Sequence, residues 1–236
     1  MTVAGAPVGP VEVPALVRAA LGAHPEPVWR NLAGGLTFRA GDRYAKWSPT
    51  GGLGAERARL DWARPFHPVP EVLDLVRDAE GELLVTRALP GAGAATSEWL
   101  ARPREAVRAI GEGLRALHEG LPAADCPFSW SAEERLAVAC VDLGPVPPVD
   151  LLVVCHGDAC APNTIVGPDG RWAGHVDLGA LGAADRWADL AVASMSLDWN
   201  YGPGWQPELF AAYGVEPDAE RIRFYRALWN ADEPTS

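Results

Sequence analysis

An unbroken apolar run, Leu151 to Cys155, opens directly onto His156-Gly157-Asp158-Ala159-Cys160-Ala161-Pro162-Asn163. A run of this length bounded by turn residues predicts a buried strand. The loop that follows sets a carboxylate, Asp158, five residues before a carboxamide, Asn163. Thr164–Val166 and Trp172–Val176 then flank the turn Gly167-Pro168-Asp169-Gly170, which predicts a short hairpin. Fourteen residues past Asn163, at the end of that hairpin, comes Asp177-Leu178-Gly179. The spacing of Asp158 and Asn163 alone is a weak signal. Strand, polar loop, hairpin and second carboxylate in that order are a strong one.

The remaining elements predict an α+β chain in two lobes. Residues 13–21 read as a short amphipathic helix with Pro14 in its first turn. Val28–Leu32, Leu36–Arg39 and Tyr44–Trp47 are short segments separated by Gly34-Gly35 and Gly41-Asp42, the pattern of a hairpin or meander. Ala55–Ala63 reads as a helix, and Val72–Arg77 and Glu82–Arg87 as strands joined by Asp78-Ala79-Glu80-Gly81. This gives a small mixed sheet with one helix over residues 1–90. Leu89-Pro90-Gly91-Ala92-Gly93 breaks the pattern and marks the boundary. Beyond it, over 91–236, Val107, Ile110, Leu114, Leu117 and Leu121 recur at three- and four-residue steps on one helix that begins at Pro103. A short helix over Ala132–Cys140 and helices near 185–197, 205–213 and 218–229 complete a larger, mainly helical lobe. With 48% hydrophobic and 22% charged residues, the chain has ordinary globular composition.

The formal net charge of −11 argues against a nucleic-acid backbone or an anionic membrane as the main partner and is compatible with a cationic ligand. No stretch approaches the roughly 20 apolar residues of a membrane span, and the N-terminus lacks the basic region of a secretory signal. Cys126, Cys140, Cys155 and Cys160 show no C-x-x-C spacing, so free thiols in a reducing cytoplasm are expected. Of the 20 basic residues only Lys46 is a lysine. A compact ammonium on a flexible stem does what the wide guanidinium fork cannot, and Lys46 follows the Gly34-Gly35 turn on the next strand, where it would meet phosphates. Glu56 opens the next helix and can orient it. The main chain at Arg87 and Leu89 is placed to meet adenine at the lobe boundary. The Asp-x-x-x-x-Asn loop is the spacing of kinase catalytic loops, in which the Asp accepts a hydroxyl proton and the Asn holds magnesium. Asn163 and Asp177 together supply hard oxygen ligands for Mg2+ alongside ATP phosphates.

At these residues the chain resembles the aminoglycoside phosphotransferases, small-molecule kinases with a bilobal protein-kinase-like fold. The likeness runs from about Leu32 to Leu228. It is closest over Val153–Asn163 and over Val176–Ala191, the latter similar to the family signature D-x-G-R-x-G-x-A-D-R-x-x-D-x-A. Gly54–Trp62, Leu117-His118, Cys126-Pro127-Phe128 and Arg223-Phe224-Tyr225 add further matches, and the 3′ and 3″ branches look nearest. The resemblance implies transfer of phosphate from ATP to an aminoglycoside hydroxyl. Asp158 would be the catalytic base, Asn163 and Asp177 the magnesium ligands, and Lys46 with Glu56 would lie at the phosphates. Glu133, Glu134, Asp232 and Glu233 are candidates for the amines of a cationic amino sugar. His156 reads as a brace for the loop, Asp185 and Asp189 as structural caps of main-chain amides, and Trp199 and Trp205 as candidates for lining the ligand cleft. Two departures stand out. Ala180 replaces the family's Arg after Asp-x-Gly, and only 22 residues (129–150) separate Phe128 from the strand, where relatives carry a longer acidic segment. These departures keep two alternatives open: a kinase of another small hydroxyl compound (macrolide, choline-like or homoserine-like), or a nucleotide-binding pseudokinase.

Overall fold

The computed structural model describes residues 5–22, 24–31 and 33–232. They fall into two compact units. The first runs to Pro65 and resumes over Val69–Leu89, and the second takes Phe66–Pro68 and continues from Pro90.

The first unit contains α1 (Ala15–Leu21), β1 (Glu26–Arg30), β2 (Leu36–Ala40), β3 (Arg43–Ser48), α2 (Leu53–Ala63), β4 (Val72–Arg77) and β5 (Glu82–Arg87). Its sheet has the order β1-β2-β3-β5-β4, and every neighbouring pair is antiparallel. The expected mixed sheet is therefore corrected. Tight turns join β1–β2, β2–β3 and β4–β5, and a tight turn can only reverse the chain. The apolar strand β5 takes an inner position, with Leu83, Leu84 and Val85 buried, while the more exposed β4 forms the edge. The short helix read over residues 13–21 forms as α1, in addition to the one counted with the sheet, α2. Val17 of α1 seals one sheet face against Leu36, Phe38, Ala45, Leu83 and Val85. Side chains alternate along a strand, so Lys46 stands on the face opposite Ala45.

The second unit contains β6 (Ala92–Gly93), α3 (Ser97–Leu100), α4 (Pro103–Gly120), α5 (Ala132–Ala139), β7 (Leu152–Cys155), β8 (Thr164–Val166), β9 (Trp172–His175), β10 (Gly182–Asp185), α6 (Trp187–Tyr201), α7 (Gln206–Tyr213) and α8 (Ala219–Asp232). The apolar stripe of α4 is buried at Val107, Ile110, Leu114 and Leu117. From Trp187 to Leu197, α6 is buried on all sides, as a central helix must be. The strand β7 pairs antiparallel with β10, from Gly182 opposite Cys155 to Asp185 opposite Leu152. The sequence pattern places the start of a helix at 185 and misses β10, because Gly-Ala-Ala-Asp has no β-branched or aromatic residue to announce a strand. Among the described residues no helix is long and apolar enough to cross a membrane.

Two packing details carry consequences. A Cβ on Gly111 of α4 would lie 2.7 Å from both the Ala212 Cβ and the Leu209 carbonyl oxygen of α7. In the segment Phe66–Pro68, the Pro68 carbonyl accepts from the His175 amide at 3.1 Å, and His67 Nε2 meets His175 Nδ1 at 2.9 Å. His67 also stacks on Trp172, with ring centroids 5.5 Å apart. Burial lowers the His67 pKa to about 4, with the His156 and His118 rings adding to the effect. Burial drives His175 well below its ordinary value as well, again with neighbouring histidines contributing.

Gly111→Ala should therefore lower stability by about 1–3 kcal/mol in urea denaturation, because helix backbone must move. Gly54→Ala in α2, whose added methyl meets only Leu75 at 3.9 Å, should be neutral or stabilising. The histidines predict a pH dependence of fixed sign. Unfolded histidines bind protons below about 6.5, while the folded His67 stays neutral down to about 4. The unfolded state thus binds more protons in that window, and stability is complete above it and lost as pH falls from about 6.5 toward about 4. The loss should reach on the order of 3 kcal/mol for His67 alone, with His175 adding in the same sense. Urea titrations at pH 7.5, 6 and 5 should show this fall, and His67→Gln should flatten it.

Candidate active site

The site in the second unit is assembled by main-chain geometry. In the β8–β9 hairpin Thr164 lies opposite His175, so the next pair outward is Asn163 opposite Val176, joined by the Val176 amide donating to the Asn163 carbonyl at 3.0 Å. Asp177 is the next residue. The hairpin thereby brings together two positions separated by 14 residues of chain. Asp177 has φ 61°, a left-handed conformation that costs a residue with a Cβ and marks a site held by its surroundings.

Asp158 is tied to Asn163. The Asn163 Nδ2 donates to the Asp158 carbonyl at 2.9 Å and to its Oδ2 at 3.1 Å. With its nitrogen committed, Asn163 has its Oδ1 as the atom for a cation. The other Asp158 oxygen, Oδ1, is buried with no hydrogen-bond partner among the described residues. A buried acceptor left unpaired costs about 1–3 kcal/mol, which an incoming hydroxyl donor would relieve.

The loop is braced from below. His156 Nδ1 accepts from the Asp158 amide at 3.3 Å, which puts the ring proton on Nε2, where it donates to the Val176 carbonyl at 2.9 Å. One imidazole thus links Asp158 to the strand end that carries Asp177. The buried Asp189 of α6 accepts from the His156 amide at 2.6 Å, the Gly157 amide at 2.9 Å and His118 Nε2 at 2.9 Å. Burial pushes its pKa up, but the His118 hydrogen bond, the His118 and His156 charges and the Gly157 amide outweigh that and leave it below the ordinary value. Ser196, one residue the sequence did not single out, accepts from the Ala161 amide at 2.9 Å. Gly157 has φ 84°, and a Cβ there would come within 2.2 Å of the Ala180 carbonyl, so loop and Asp177 turn touch through backbone. Asp185 accepts from the Trp187 amide at the start of α6 and from the Asp150 amide.

In the first unit Lys46 Nζ of β3 lies 2.7 Å from Glu56 Oε2 in the first turn of α2, with Glu56 nearly buried. The Gly34 and Gly35 turn is locked onto Asn31: the Gly35 amide donates to Asn31 Oδ1 at 2.7 Å and the Gly34 amide to the Asn31 carbonyl at 3.2 Å. The Arg87 amide donates to the Glu71 carbonyl and its side chain pairs with Glu71 and Asp42. Leu89 ends the unit. Glu133 and Glu134 lie in the exposed first turn of α5, where Ser131 Oγ accepts the Glu134 amide and donates to Glu133. Glu233 and the side chain of Asp232 lie outside the described residues. The four cysteines are free thiols.

A model of the phosphotransferase enzyme family matches residues 17–140 and 142–225. The chain is 38% identical to a streptomycin 3″-kinase of Streptomyces griseus, over 83% of this chain and 88% of that one. It is 36% identical to an aminoglycoside 3′-phosphotransferase of Streptomyces fradiae, over 75% and 78% of the two chains. Among solved structures, an aminoglycoside phosphotransferase from Streptomyces rimosus superposes with a TM-score of 0.73 at 33% identity, covering 92% of this chain and 96% of that one. The same enzyme in complex with ADP and streptomycin gives 0.71 at 31% identity, covering 93% and 97%. The fold is thus protein-kinase-like, and with a family match across most of its length and relatives above 30% identity the chain belongs to the phosphotransferase enzyme family.

Proposed function

We propose that the protein is an ATP-dependent O-phosphotransferase that phosphorylates a hydroxyl of an aminoglycoside, in the cytoplasm where ATP is available. The observation that carries this reading is the pair of Asp158 oxygens: Oδ2 is held by Asn163, and Oδ1 is buried without a partner. The family membership and the streptomycin 3″-kinase relative support the same chemistry.

In this mechanism the substrate hydroxyl donates to Asp158 Oδ1. Its oxygen forms a bond to the γ-phosphorus as the bond to the bridging β–γ oxygen breaks. ADP departs with that electron pair, and the hydroxyl proton passes to the carboxylate. The transition state is loose, so the gain comes mostly from alignment and charge stabilisation rather than from full proton abstraction. His156 and Asp189 hold Asp158 in line. The first unit would bind the nucleotide: Lys46, oriented by Glu56, neutralises phosphate oxygens, the Gly34-Gly35 turn covers them with its amides held by Asn31 rather than donated to phosphate, and the main chain at Arg87 and Leu89 meets the base. Asn163 Oδ1 and the Asp177 carboxylate are hard oxygen donors that fit Mg2+, and the ion when bound supplies positive charge at the phosphates. The second unit would take the acceptor, with Glu133, Glu134, Asp232 and Glu233 as sites for its ammonium groups.

Transfer of phosphate to streptomycin, kanamycin and neomycin, followed by mass spectrometry, should show at least one product heavier by a single phosphoryl group. No product with any of them contradicts the acceptor class. Asp158→Asn should lower kcat by at least ~10² with the KM for ATP near normal. Turnover retained in that variant would remove Asp158 from the role of base.

A further inference from the structure

The short 129–150 segment holds few uncommitted acids. Asp150 pairs with Arg186 and Trp187 Nε1, Asp142 accepts the Gly144 amide, and Glu133 is bonded to Ser131. A large cationic acceptor needs a further surface, and α6 offers one. Trp199 is 56% exposed, in contrast to the buried Trp99, Trp130 and Trp187. Its ring packs against Trp229 of α8, with centroids 5.7 Å apart and planes tilted by 45°.

Trp199 follows, by one turn of α6, the residue that bonds the 156–163 loop. Ser196 Oγ accepts the Ala161 amide, between Asp158 and Asn163 in the chain. Asn200 Nδ2 in turn donates to the Ser196 carbonyl at 2.8 Å and to its Oγ at 3.2 Å. Residues three and four apart share a helix face, so Trp199 and Asn200 sit one turn beyond the contact that fixes the loop. With its nitrogen used on Ser196, Asn200 has its Oδ1 as an acceptor. An aromatic face attracts cations, and a planar guanidinium stacks on it where an ammonium remains a hydrated point charge. Nearby, Asp198 accepts from Gln206 at 3.2 Å and lies 3.8 Å from Arg226, so the local carboxylate is only partly neutralised.

We propose that Trp199 and Trp229 form the platform that binds a guanidinium-bearing ring of the acceptor, with Asn200 Oδ1 as its hydrogen-bond acceptor, and so set specificity toward streptomycin-type substrates. This rests on the phosphotransferase reading above. The test is steady-state kinetics of wild type, Trp199→Ala and Trp199→Phe with streptomycin, which carries two guanidinium groups, and with kanamycin, which carries only ammonium groups. Trp199 is exposed, so its removal leaves the core intact, and thermal denaturation checks this. Trp199→Ala should raise the KM for streptomycin about five- to tenfold, with kcat and the KM for ATP within about twofold of wild type. Trp199→Phe should recover most of the loss, and any kanamycin turnover should change less. An unchanged KM for streptomycin in an active Trp199→Ala enzyme overturns the platform alone. Absence of any phosphorylated aminoglycoside with wild type overturns the phosphotransferase reading and the platform with it.

Discussion

A single buried carboxylate sets the shape of the catalytic loop. Asp189 sits at 0% exposure and accepts hydrogen bonds from two successive loop amides, His156 and Gly157, and from the His118 ring. A buried charge is tolerable only when its lone pairs are satisfied, so the requirement is mutual. The loop amides need an acceptor in the core, and the carboxylate needs donors. Because α6 is buried from Trp187 to Leu197, this anchor is rigid, and a second contact from the same helix, Ser196 to the Ala161 amide, fixes the far side of the loop. The trajectory from His156 to Ala161 is thereby held at two points, and Asp158 lies between them.

The candidate site is held at a local energetic cost. Asp177 occupies left-handed backbone, Gly157 passes against the Ala180 carbonyl where no side chain would fit, and Asp158 Oδ1 is buried unpaired. These are costs of a few kcal/mol at most each, and they are offset by the core around α4, α6, α7 and α8. The His156 ring is the lever between the two ends of the site, bonded to the Asp158 amide and to the carbonyl of the residue preceding Asp177. Its role is positional, through one hydrogen bond at each ring nitrogen.

Periodicity alone delimits β4, β5 and the apolar stripe of α4, and residue chemistry with spacing singles out Asp158, Asn163 and Asp177. Asp185 and Asp189 are legible as acceptors for main-chain amides. For Asp189 those amides belong to the catalytic loop, more than 30 residues back, and not to its own helix. A glycine pair in a turn suggests amides open to phosphates, yet the amides of Gly34 and Gly35 are both bonded to Asn31. The strand β10 is illegible in the sequence because its four residues carry no propensity signal, and it forms where β7 on one side and the 128–130 segment on the other supply partners.

The amino-acid order by itself determined the chemical inventory: one ammonium among guanidiniums, an acid and an amide five apart after an apolar strand, a second acid beyond a hairpin, and the helical and extended periods that bury each element. These are local properties, encoded within a few residues. Tertiary structure alone decided which amides the buried Asp189 accepts, the antiparallel order of the sheet, and the pairing of an exposed Trp199 with Trp229. Those outcomes depend on partners brought together by packing from distant parts of the chain, and a hydrogen bond or ring contact has no local signature in either partner's neighbourhood.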